Sequence, residues 1–437
     1  MHDEFLQSAT DEVETTMTPQ HRTTLAAEDA ARLHMSAAEN PMLISALLLL
    51  DRPIAREELE TRLRQRLARH PRFRQLVTEP RLGLGMPRWS GDPSFDVRHH
   101  MHRIDASLFH PAPAIEDLVA DVASIPLPRR RPLWRVHLID GGEPAVLVTV
   151  HHALADGAAL LQLLAELVDD APVAPAPAES TPDPHGRAWR IAAGALAAGR
   201  LAISRNDPVT ALRGRLGERK ELAASAALSL DELRTTSHRL GTTVTGVLLA
   251  AVAGACRALF TSASGDGLVI HALVPVSLQR EHDASLGNHY GSVLVPLPVG
   301  TAELSTRIRL VRDSTRRLRS RSAGAAGARL AAAAGAMAAF VERAGVSFFS
   351  RKASVVVSSV RGLARQAHLC GAAVRDIVVW APASGRIALS VTLMSYADRV
   401  RLGVAADGHV IGDARRVAQE LERELASISA YASTATV

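Results

Sequence analysis

A Pro/Ala-rich stretch, Ala171 to Asp183, separates two halves of similar patterning, each alternating short β-type runs with amphipathic helical segments. Segments of that kind bury themselves as sheets under helices, so the fold class is α/β with mixed sheets covered by helices. A chain of 437 residues exceeds what one hydrophobic core serves; cores stop growing at roughly 250–300 residues, so two are expected. The division expected is a tail over 1–22, an N-terminal domain over 23–172, a linker and crossover helix over 173–219, and a C-terminal domain over 220–437.

In the first half the patterning predicts a strand over Leu43–Leu50, an amphipathic helix over Ala55–His70 stopped by Pro71, and a helix around Ala114–Ala123. Strands follow at Trp134–Ile139 and Ala145–Val150, then a helix over Ala158–Val168. In the second half helices begin at Ser229 and Thr243, strands are predicted at Leu268–Val276, Val293–Pro298, Ser354–Ser358, Ile387–Ser395 and Arg399–Ala406, and a last helix begins near Asp413. No short-period repeat is visible.

Composition removes several function classes. The two cysteines, Cys256 and Cys370, lie far apart and lack the paired spacing of a zinc site or disulfide framework, so no metal is expected. His99, His100 and His102 are read as strand or surface histidines, because no acid or cysteine completes a ligand set at suitable spacing. The first residues, MHDEFLQSATDEVE, carry acids where a secretory signal carries bases before an apolar run. The Ala-rich stretches near Arg200 and from Leu330 to Val341 fall short of the roughly 20 apolar residues of a span. A cytoplasmic protein is expected, with peripheral contact to a membrane or lipid-droplet surface through basic and apolar faces. Arginine clusters at Arg129–Arg131 and Arg316–Arg319 attract anions. With aromatics at 3%, little is left for base stacking, and no nucleic-acid partner is expected.

The chemistry concentrates where the strand Ala145–Val150 runs into His151-His152-Ala153-Leu154-Ala155-Asp156-Gly157. Alternation sends Thr149 and His151 to one face and Val146, Val148, Val150 and His152 to the other, so the two imidazoles do not share a cavity if the strand continues. Periodicity alone does not choose between them. A histidine ending a strand suits general-base work, since its ordinary pKa lies near operating pH and such catalysis is worth roughly 10²–10⁴-fold. Asp156-Gly157 is expected to make a tight turn in which glycine supplies unusual dihedrals and lets a ligand approach the backbone.

His151 to Gly157 resembles the HHxxxDG signature of the superfamily that holds condensation domains and chloramphenicol-acetyltransferase-like acyltransferases. Pro132-Leu133-Trp134, LGNHYG at Leu286–Gly291, Asn40-Pro41-Met42, the Trp89–Asp96 segment and VPVSLQR at Val274–Arg280 are similar to blocks of the bacterial wax ester synthase/diacylglycerol acyltransferases. The resemblance implies two chloramphenicol-acetyltransferase-like domains around a central tunnel at their interface. It implies acyl transfer from a thioester donor, acyl-CoA or a phosphopantetheine-bound group on an acyl carrier protein, to a hydrophobic alcohol acceptor. No cofactor beyond that substrate is implied.

By the same resemblance His152 is the general base, His151 supports it, Asp156 acts through an ion pair for which Arg280 is the candidate partner, and Gly157 keeps the tunnel open. Asn288 is a turn residue or a tunnel-lining donor, and Trp134 a packing anchor. Family members carry Asn-Asp where this chain has Thr245-Gly246, and a TNVPGP-like block where it has Ser358–Gly362. Acyl transfer is therefore better supported than wax or triacylglycerol synthesis, and Thr245 is the residue to watch on the acceptor side. Three functions are carried forward: an acyl-CoA-dependent O-acyltransferase, a condensation-like enzyme drawing on a carrier protein, and a non-catalytic relative that binds carrier proteins or lipids.

Overall fold

The computed structural model describes residues 23–80, 85–111, 113–169, 206–260, 267–277, 290–320, 350–383 and 385–434. In chain order the first half holds β1 (Thr23–Thr24), α1 (Ala27–Met35), β2 (Leu43–Leu50), α2 (Arg56–Arg66), β3 (Gln75–Thr78), β4 (Arg88–Gly91), β5 (Met101–Asp105), α3 (Ile115–Ser124), β6 (Trp134–Asp140), β7 (Ala145–His151) and α4 (Gly157–Leu167). The second half holds β8 (Lys220–Ala224), β9 (Leu228–Ser229), α5 (Leu230–Arg239), α6 (Val244–Leu259), β10 (Ile270–Ser277), β11 (Tyr290–Leu297) and α7 (Leu304–Ser320). It ends with β12 (Val355–Arg361), β13 (His368–Leu369), β14 (Ala372–Trp380), β15 (Leu389–Tyr396), β16 (Arg399–Asp407) and α8 (Ala414–Thr434).

Two large sheets organise these elements. The first runs β13-β14-β2-β7-β6-β5, and the second β11-β10-β12-β15-β16-β8 with β9 paired to β16. Both are mixed: β5 lies parallel to β6, and β12 parallel to β10 and β15, while the remaining neighbours are antiparallel. Alternation along β2 explains how the first sheet is covered. Ile44, Ala46 and Leu48 pack with Leu59, Leu63 and Leu160 from α2 and α4, while Leu47 and Leu49 pack with Leu118 and Val119 of α3 and with Leu222 of β8. On the second sheet Val355, Val357, Val391 and Leu402 face α6 and α8, whose Leu248, Val252, Leu421 and Leu425 fill a separate core.

Strand β14, which the patterning does not predict, joins the two halves. It comes from the second half yet pairs antiparallel with β2, with Trp380 opposite Ser45 and Val374 opposite Leu50. The chain then returns through residues 381–388 to β15 in the second sheet. Where the sheets meet, Trp380 Nε1 donates to the Ala223 carbonyl at 2.9 Å, and Arg401 Nε donates to the buried Asp376 carboxylate at 2.8 Å. A side chain at Gly403 of β16 would run into the Val379 carbonyl, so glycine there permits the close approach.

Candidate active site

Strand β7 ends at His151, and the backbone then turns: Leu154 N donates to His151 O at 2.8 Å. Neighbouring backbone holds both histidines. His151 sits opposite Leu43 in the β2–β7 ladder and its N–H bonds Leu133 O at 3.0 Å, while the His152 N–H bonds Met42 O at 2.8 Å. The blocks Pro132–Trp134 and Asn40–Met42 thus supply the carbonyls that fix the two imidazole-bearing residues.

The two rings occupy different environments. His151 is buried, and its Nδ1 accepts the Ala153 N–H at 3.0 Å, which places the proton of the neutral ring on Nε2. Burial, then the nearby Arg129 and His152, pushes its pKa down to about 3, so it stays neutral at working pH. His152 is only half-buried, lying in the turn beyond the strand. Of the two it is the more exposed residue.

Asp156 is buried and caps α4: its Oδ1 accepts from Ala159 N at 2.9 Å, and its carbonyl accepts from Leu160 N at 2.8 Å. An aspartate there satisfies an otherwise orphaned amide and is worth about 1 kcal/mol. Gly157 is the first residue of α4, and its φ is not positive, so the expected need for an unusual dihedral does not hold. Its position matters instead. A Cβ there would lie 3.6 Å from Val360 Cγ2 at the end of β12, which puts the turn where the two halves face each other.

Trp134 is buried, stacked on His100 with ring centroids 4.3 Å apart, and donates from Nε1 to Phe73 O at 2.8 Å. These contacts make it a packing anchor for β6, next to the strand that carries His151. Thr245 lies half-buried in the first turn of α6, behind the Thr243 cap that accepts from Gly246 N at 3.1 Å. No described contact joins Thr245 to the histidine turn. Arg280 and Asn288 lie outside the described residues, as do the Ala-rich stretches considered as membrane spans. His99 is exposed in a 3₁₀ turn and His102 exposed on β5, as read, whereas His100, in the same turn as His99, is buried against Trp134; among the described residues no metal-ligating trio gathers.

A small cleft opens between the sheets on the far side of β2 from α2 and α4. Its walls include Met42, Leu43, Leu222, Trp380, Ile387 and Ala405, and Leu43 is the residue paired with His151. The site residue that patterning undervalued is Met42. Its φ of 53° is left-handed for a non-glycine residue, and its carbonyl carries the His152 contact. Nothing in a methionine codon signals that conformation; only the neighbouring asparagine and proline hinted at a turn.

Family models match over most of the chain: the wax ester synthase/diacylglycerol acyltransferase catalytic domain over residues 25–199, and the WS/DGAT C-terminal domain over 286–429. A probable diacylglycerol O-acyltransferase of Mycobacterium tuberculosis is 30% identical, covering 93% of this chain and 94% of that protein. This chain belongs to the wax ester synthase/diacylglycerol acyltransferase family. By that membership it is an acyltransferase, acting between an acyl donor and a hydrophobic acceptor. Among solved structures, the family member from Marinobacter aquaeolei VT8 superposes with a TM-score of 0.68 at 21% identity, covering 94% of this chain and 100% of that one. The first condensation domain of the calcium-dependent antibiotic synthetase superposes with a TM-score of 0.64 at 17% identity, covering 94% and 96%. These two likenesses show the shared fold, the α/β architecture read from the patterning. Among the described residues no single helix is long and apolar enough to cross a membrane.

Proposed function

We propose that this acyltransferase moves an acyl group from acyl-CoA to the hydroxyl of a hydrophobic alcohol, a fatty alcohol or diacylglycerol, with His152 as general base. The observation that supports the reading is the unequal treatment of the two histidines: His151 is buried, neutral and accepts the Ala153 N–H, while half-buried His152 stands in the turn at the junction of the halves. His152 takes the proton of the acceptor hydroxyl as its oxygen attacks the thioester carbonyl. The tetrahedral intermediate collapses with cleavage of the C–S bond, and the proton passes from His152 to the departing thiolate. No covalent enzyme intermediate is needed.

His151 and Asp156 act as supports in this scheme, one by bracing the turn and the other by capping α4. Gly157 leaves space against Val360. Thr245 belongs on the acceptor side, and its departure from the family's Asn-Asp favours a second reading, in which a carrier protein delivers the acyl group to a less common alcohol or amine. Peripheral contact with a membrane or lipid-droplet surface fits either acceptor class. A donor-by-acceptor matrix tests both readings: acyl-CoA and acyl carrier protein against long-chain alcohols, diacylglycerol and small hydroxy compounds, read by product mass. Ester formed from acyl-CoA and a long-chain hydroxyl is expected; turnover only with carrier-bound donors rejects the first reading.

A further inference from the structure

Asn40 is buried, and both hydrogens of its amide are used across the molecule: Nδ2 donates to Ala383 O at 2.8 Å and to Gly385 O at 3.2 Å. Those carbonyls belong to the connector by which the chain leaves β14 in the first sheet for β15 in the second. On its own side Asn40 is held by a reciprocal backbone bridge to Ala37, with both N–H···O distances 3.0 Å. Two residues later comes Met42, left-handed at φ 53° and buried, whose carbonyl receives the His152 N–H at 2.8 Å. A left-handed methionine is strained and persists only where its surroundings fix it on both sides. Here the Asn40 clamp fixes one side and the β2–β7 ladder the other.

We infer that Asn40 is a positioning residue for the acyl transfer, tying the connector between the sheets to the backbone that sets the orientation of His152; this rests on His152 being the base. An amide is the side chain that fits, since it alone among short side chains offers two donors from one nitrogen. Asn40→Asp would aim a carboxylate at two carbonyl oxygens. Asn40→Ala would leave Ala383 O and Gly385 O without that donor and free Met42 to leave its left-handed conformation. Misplacement of a catalytic group by about 1 Å costs on the order of 10²-fold in rate.

The test compares Asn40→Ala and Asn40→Asp in the wild-type and His152→Ala backgrounds, with kcat and KM measured separately and the folded fraction followed by thermal melting. The expected result is a fall in kcat of about 10–100-fold, with KM for the acyl donor within about threefold and a cooperative melt retained. In the His152→Ala background the same substitution should lower kcat by less than about twofold, because the group it positions is gone. Where that background is too slow to measure, the imidazole ¹⁵N signals assigned to His152 by their loss in His152→Ala give a second reading, and Asn40→Ala should shift their titration. A kcat within twofold of wild type, equal proportional losses in both backgrounds, or an unmoved His152 titration overturns the positioning role. Full activity in His152→Ala alone would instead remove the base assignment beneath it.

Discussion

At the residue scale, His151 and His152 are adjacent in sequence and opposite in physics. One is an internal acceptor held neutral by burial; the other stands half-exposed at the end of its strand. The depressed pKa of His151 makes a stability prediction whose sign follows from linkage. An unfolded histidine takes up a proton near pH 6.5, whereas folded His151 resists it down to about 3, so the contribution to stability falls as pH drops below 6.5. At pH 4.5, two units below the unfolded value, the loss is roughly 2–3 kcal/mol. His137, also pushed down to about 3 by burial, adds a loss of the same sign. Denaturation of wild type and His151→Asn at pH 7.5 and 4.5 separates the two: the asparagine oxygen can still take the Ala153 N–H, and the variant should lose less stability between those pH values. Equal losses would mean that His151 is protonated in the folded protein.

At the element scale, the strands and helices that the patterning predicts lie within about four residues of where they form, because their apolar positions follow the helical period or the strand alternation and glycine or proline marks the ends, while short strands such as β3 and β13 and the arginine-rich helix α7 carry no such signal. Strand β14 escaped notice. Its sequence, AAVRDIVVW, is interrupted by Arg375 and Asp376, which break the apolar run. Their roles are visible only in three dimensions: Asp376 meets Arg401 of β16, and Arg375 reaches Glu143 at 2.6 Å. The run Ile377–Trp380, between Gly371 and Pro382, was the available signal. Gly403 was equally silent, since its reason is the Val379 backbone of a strand distant in sequence. Gly403→Ala should cost about 1–3 kcal/mol through overpacking at the sheet junction, measured by the urea midpoint at unchanged slope. A midpoint equal to wild type would show that the junction yields freely.

At the scale of the whole molecule, the HHxxxDG-like turn and its flanking blocks made the chemistry legible before any coordinates, while the coupling of the halves was not. Sequence order placed a boundary near residue 172, but the sheet that carries the histidines takes β14 from residues 372–380. Without it β2 presents an unpaired, apolar edge, the kind of edge that recruits other chains. Residues 23–169 produced alone should therefore aggregate, and co-production with residues 206–434 should restore soluble, cooperatively melting material. Independent cooperative folding of the first fragment would contradict the shared sheet.

If His152 moves the proton in acyl transfer, removing its imidazole must slow the reaction in a folded protein. The most direct measurement is kcat/KM for ester formation by purified His152→Ala beside wild type, with the donor and acceptor pair that the product screen selects and with thermal melting to establish folding. A loss of about 10²–10⁴-fold in a protein that melts like wild type is the result expected of a general base. Turnover within about threefold of wild type would contradict the assignment.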